Sequence, residues 1–147
     1  MEKVKQKSPK SLEKFKNEYI VCLHKYLECI LKNSKLSNIA LRNYIEKFKN
    51  TNPYIEYFSG FLHYHGYCGY SKNLDLAWDC YSNVWEQVPG AAYNSAMMLL
   101  ENSNSEEENA KVLLKYILEC NADKFIDTKE EMDFKQKAKE QLSKLQI

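Results

Sequence analysis

Apolar residues recur along this chain at the three- and four-residue spacings of amphipathic helices. Leu12, Phe15, Tyr19, Cys22 or Leu23, Tyr26 or Leu27, and Ile30 mark a first helix that runs to about Lys32. Ser8-Pro9 opens it, because serine caps a helix and proline is pre-set for its first position. Asn33-Ser34 interrupts, and a shorter helix is expected from about Ser37 to Lys49. Asn52-Pro53 repeats the cap-then-proline signal before Tyr54, Tyr57, Phe58, Phe61, Leu62 and Tyr64. Gly66 and Gly69 break that run, since glycine takes the positive φ of a tight turn. The pattern resumes at Leu74, Ala77, Trp78, Tyr81, Val84, Trp85 and Val88, and again after Pro89-Gly90 at Ala92, Tyr93, Ala96, Met97 and Leu100. Ser105 to Glu108 and Thr128 to Glu131 read as capping boxes with carboxylates in the first turn. The first opens a helix to about Cys120. The second opens a last helix with Met132 or Phe134, Ala138, Leu142 and Leu145 on its apolar face.

The pattern repeats. Ala77 is followed by Tyr81 and Trp85, one and two turns on. Ala40, Tyr44 and Phe48 have the same offsets 37 residues upstream, and Ala110, Leu114 and Leu118 have them 33 residues downstream. Tyr57-Gly60-Phe61 lies 36 residues before Tyr93-Ala96-Met97. A small residue lets two helices approach closely, and large apolar residues beyond it fill the seam. A period in the mid-thirties with helix-turn-helix content signals a helical repeat array.

The segment from Pro53 to Pro89 resembles the Sel-one-like repeat, a relative of the tetratricopeptide repeat. Tyr57, Gly60, Tyr64, Gly66, Gly69, Ala77, Tyr81, Glu86 and Gln87 stand where that repeat has its characteristic residues. Ser59 replaces the Leu of the family's Leu-Gly pair, and Tyr67-Cys68 separates two glycines that are usually closer. Ala91 to Asn121 is a degenerate copy. The resemblance implies an all-α fold: a short right-handed α-solenoid of antiparallel helix pairs with about seven helices. One domain over 1–147 is expected, with repeats at about 9–52, 53–89 and 90–122 and a capping helix at 128–146 to shield the last apolar face. It also implies a recognition scaffold rather than a particular partner.

Composition narrows the function classes. A chain of 147 residues with eleven tyrosines can bury a continuous core. Net charge is +1 and Arg42 is the only arginine, which argues against nucleic acid as a partner. The lysines Lys10, Lys14 and Lys16 form a solvated face or a basic patch for an acidic partner. No apolar run approaches the roughly 20 residues of a membrane span, and the basic N-terminus lacks a signal-peptide core. A frayed lysine-rich stretch over 1–7 and a cytoplasmic location are expected. Five cysteines, an odd number, fit reduced thiols.

Candidate chemistry is sparse. His63, His65, Cys68 and Cys80 are the only cluster of metal-ligand types. Histidines two apart fall on different helix faces, so no metal and no cofactor is expected. A nucleophile would have to be Cys68 or Ser59 with a base nearby. The informative feature is aromatic: ten rings crowd one repeat, about half of them are expected in its core, and the rest exceed what one helix pair can bury. Tyrosine and tryptophan dominate binding hot spots. Glu56, His63, Tyr64, Tyr67 and Tyr70 are therefore the expected partner-binding residues, on a groove lined by first helices or at the turn.

These readings predict a non-catalytic protein-binding molecule. A small cytosolic inhibitor fits, such as an immunity protein that neutralises a partner toxin. The alternatives are an adaptor that binds several proteins or peptides and, more remotely, a hydrolase using Cys68 or Ser59.

Overall fold

The computed structural model describes residues 9–102 and 106–145. The expected fraying over 1–7 and the caps expected at Ser8 and Ser105 lie outside them. Among the described residues the chain is all-α, with seven α-helices and no strand. They are α1 (Pro9–Lys32), α2 (Lys35–Phe48), α3 (Pro53–His65), α4 (Leu74–Val84), α5 (Pro89–Asn102), α6 (Glu107–Glu119) and α7 (Thr128–Leu145). A single 3-10 turn, Ala122–Lys124, follows α6. The chain divides into two compact units, Met1–Asn73 and Leu74–Ile147. The expected second repeat, 53–89, thus contributes α3 to the first unit and α4 to the second.

In the first unit α1 packs against α2 and α3, and α2 packs against α3. Tyr19, Cys22 and Cys29 from α1, Leu41 and Ile45 from α2, and Tyr54, Ile55, Phe58 and Leu62 from α3 form its buried core. Serine 34 caps α2, accepting the Ser37 N–H at 3.1 Å, so the helix begins two residues before the expected Ser37. Asn52 caps α3 with its Oδ1, which accepts the Tyr54 and Ile55 N–H groups at 2.9 and 3.3 Å. Its Nδ2 donates to the Phe15 carbonyl at 3.0 Å and to Glu18 Oε1 at 2.9 Å, fixing the start of α3 on α1. Tyr44 adds a second tie, donating to the Glu18 carbonyl at 3.1 Å.

Two expectations for this unit are corrected. Ala40 is exposed, and the buried stripe of α2 is Leu41 and Ile45, one position on. The small-residue seam read at Ala40 is therefore not formed. Secondly, the surplus of aromatics is much smaller than the sequence suggested. Rings from α1 cover those of α3: Tyr19 meets Tyr54 at 5.7 Å and Phe58 at 6.1 Å, while Tyr26 meets Phe58 at 5.0 Å. Helix α1 supplies burial that the repeat pattern leaves unassigned.

In the second unit α5 packs against α4, α6 and α7, and α6 against α7. Ala92, Ala96 and Ala110 are all fully buried, which allows the α5 and α6 backbones to approach closely. Leu113, Leu114, Ile117, Ala138 and Leu142 complete that core. On α7 Phe134 is the residue turned to the core, against Tyr93 at 5.9 Å, while Met132 is exposed. Helix α4 ends at Val84, four residues before Val88, the last apolar position of the expected pattern; Pro89 keeps only Val88, the residue directly before it, out of helical backbone. Trp85 therefore leaves the helix and meets Tyr116 edge-on at 5.2 Å. The capping box of α7 is shifted by one residue from the expected Thr128. Asp127 accepts the Glu130 N–H at 2.8 Å, and the Glu130 carboxylate reaches back to the Ile126 N–H at 2.7 Å.

Candidate functional site

The site is built on the segment that follows α3. Helix α3 ends because Gly66 adopts the left-handed conformation, φ 72° and ψ 38°, and donates its N–H to the Leu62 carbonyl at 2.8 Å. A Cβ at Gly66 would sit 3.2 Å from the Lys72 backbone nitrogen, so a side chain there would crowd Lys72 as well as strain the left-handed backbone. Gly69 is also left-handed at φ 84°, and Cys68 adopts φ 57° despite its side chain. Two further bonds close the segment: Tyr70 N–H to the Tyr67 carbonyl at 3.0 Å, and Asn73 N–H to the His63 carbonyl at 2.8 Å. The chain is thus folded back on the end of α3. Tyr67 is delivered to one side and Tyr70 to the other.

On the first side lies a cavity of about 380 Å³ between α1, α2 and the segment. Tyr26, Cys29, Asn33, Asn38, Tyr67 and Cys68 line it. Tyr67 is 44 % exposed. Its ring lies flat on His65, with centroids 4.8 Å apart and planes 10° apart. Phe61 backs both rings, at 4.7 Å from His65 and 5.9 Å from Tyr67. Burial, and then the neighbouring Cys29 thiol, push the Cys68 thiol up to about 12. Cys29 itself donates to the Ser37 carbonyl at 3.1 Å. All five cysteines are free thiols.

On the second side Arg42, Asn43 and Glu46 of α2 face His63, Tyr70 and Ser71 across a cavity of about 450 Å³. The His63 and Tyr70 rings meet edge-on at 4.9 Å. His63 Nδ1 and the Tyr70 hydroxyl are buried and have no hydrogen-bond partner. An unsatisfied buried polar group costs roughly 1–3 kcal/mol, so both atoms favour a ligand that can pair with them. Burial raises the Tyr70 phenol above its ordinary value, Glu46 adds to the rise, and Arg42 opposes it. The phenol is therefore a neutral donor at physiological pH.

Of the expected binding residues, the segment brings His63 and Tyr70 together and sets Tyr67 on the opposite cavity. Glu56 and Tyr64 are half-buried on α3, with the Tyr64 ring 5.0 Å from His65. The α2 residues Arg42, Asn43 and Glu46 were not expected here. Their only sequence signal is the lone arginine, and nothing local ties it to Tyr70.

Ser59 lies in the middle of α3 at 1 % exposure, with its Oγ unpaired. The raised Cys68 thiol is the reverse of what a nucleophile needs. His63 and His65 sit against different tyrosines, Tyr70 and Tyr67. Among the described residues no group of three His, Cys, Asp or Glu side chains is placed to hold a metal ion. No described helix is long and apolar enough to cross a membrane. No protein-family model, no curated protein and no solved structure matches this chain.

Proposed function

We propose that this chain is a non-catalytic protein-recognition molecule whose binding surface is the segment after α3. The observation that carries the reading is the platform made by Tyr67 stacked on His65. The ring pair is exposed at Tyr67, backed by Phe61, and set on a backbone with three left-handed residues. Such a platform offers large contact area with little conformational entropy to lose, the chemistry of an interface hot spot. The orphaned His63 and Tyr70 atoms in the adjoining cavity supply one acceptor and one donor for a partner's polar group.

The form of this function that fits best is a cytoplasmic inhibitor that occludes a single partner protein, as an immunity protein neutralises a toxin. The helix pairs are then those of a short Sel-one-like, tetratricopeptide-like solenoid. The residues quoted for that resemblance and the all-α content support it. The experiment is affinity capture from the source cell with the purified chain, then reconstitution with the captured protein. An inhibitor gives one partner at equal stoichiometry, and Tyr67→Ala weakens the complex at least about tenfold. Many weak partners would make the chain an adaptor. A single tight partner insensitive to Tyr67→Ala would overturn the platform as the binding surface.

A further inference from the structure

A second surface lies in the other unit, between α4 and α5. Leu74, Trp78, Met98 and Leu99 form an apolar groove of about 460 Å³, and Asp75, Asp79 and Glu101 stand around it. Leu74 is 46 % exposed, and the three carboxylate residues are exposed. Asp75 and Asp79 are one turn apart on α4 with Trp78 between them, so all three side chains share one face. Among the described residues no lysine, arginine or histidine lines the groove.

The groove lies within a larger asymmetry of charge along the chain. Between Lys72 and Lys111 the chain has no lysine, arginine or histidine at all, yet carries seven carboxylates. The near-neutral net charge conceals it, because the basic residues are concentrated before Thr51 and after Ala110. Two like charges one turn apart repel on a free helix, and an incoming cation removes that repulsion. The indole face of Trp78 attracts a cation as well. An apolar floor suits the methylene stem of a long basic side chain, whose charged end then reaches the carboxylates at the rim.

We infer that the α4–α5 groove is a docking site for a basic segment of a partner protein, seating an arginine or lysine side chain over Trp78 with its charge between Asp75, Asp79 and Glu101. The inference stands apart from the platform on α3 and survives if that platform binds nothing.

The test is an NMR titration of the ¹⁵N-labelled full chain with a short acetylated, amidated peptide of alternating arginine and alanine. Its glutamate counterpart is the control. The site predicts shifts centred on the Trp78 indole N–H and the amides of Leu74, Asp79 and Leu99. It predicts that Asp75→Asn with Asp79→Asn weakens binding about tenfold or more, and that raising salt from about 50 to 300 mM weakens it further. Both aspartates are exposed, so the variant keeps its fold. Glu107→Gln with Glu108→Gln, which lies outside the groove, leaves binding within about twofold. Shifts spread over all acidic positions, equal losses in the two double variants, equal binding of the glutamate peptide, or no binding would each overturn the inference.

Discussion

Replacing Asn52 by alanine tests how the first unit is locked together. The side chain is 1 % exposed and makes four polar contacts. Losing an asparagine cap costs typically about 1 kcal/mol, within a range of roughly 0.5–2. The variant also strips a buried donor from the Phe15 carbonyl, worth roughly another 1 kcal/mol. The contact to Glu18 adds less than a fully buried charged bond would, because Glu18 is only half-buried and water can replace the amide. The sum is about 2–4 kcal/mol. Both tryptophans, Trp78 and Trp85, belong to the second unit, so indole fluorescence is the wrong probe. Hydrogen exchange of the α3 amides together with circular dichroism in urea reads the first unit. Thr51→Ala is the control: its exposed hydroxyl donates to the Phe48 carbonyl at 3.3 Å and is worth at most about 0.5 kcal/mol. If Asn52→Ala costs no more than Thr51→Ala, the tie between α1 and α3 described here is wrong.

Gly66→Ala forces a side chain into left-handed backbone against Lys72 and should cost about 1–2 kcal/mol while reducing partner binding, although it removes no contact residue. Urea denaturation and the binding assay on the same variant check both effects. Ala110→Leu overfills the seam between α5 and α6, where the alanine is fully buried, and should destabilise by about 1–3 kcal/mol; tryptophan fluorescence in urea measures it. Alkaline pH should also destabilise the fold. Cys22 and Cys68 are pushed up to about 12 from 9.0. Groups raised in the folded state stabilise it fully below their unfolded value and lose that contribution as pH climbs through the folded one. Stability followed by urea denaturation should therefore fall between about pH 9 and 12, and less steeply in Cys68→Ala. A flat profile would contradict the buried-thiol account.

The helices were legible because their start and stop signals are local. Asn52-Pro53 and Gly66 mark boundaries that the structure keeps. Where a boundary is set by which side chain accepts a backbone N–H, it differs from the pattern by one or two residues. Ser34 caps α2, which begins at Lys35 rather than Ser37, and Asp127 rather than Thr128 caps α7. The site was legible in part for a related reason. An aromatic run beside two glycines pointed to Tyr67, Tyr70 and His63. The partners of those residues come from α1 and α2, more than 20 residues away in sequence, as with Arg42 near Tyr70 and Tyr26 near Tyr67. Helical periodicity gives a residue's face but not which helix covers it. For the same reason Ala40 matched the repeat offsets and yet is exposed. Charge segregation between Lys72 and Lys111 was present in the sequence throughout, but a single net charge for the chain hides it.

The central claim is that recognition runs through the segment after α3. Hydrogen–deuterium exchange of the chain, alone and in complex with its captured partner, tests it most directly. The account predicts new protection concentrated over residues 61–73, lost in parallel with affinity in Tyr67→Ala. Protection that leaves residues 61–73 unchanged in a tight, stoichiometric complex would contradict it.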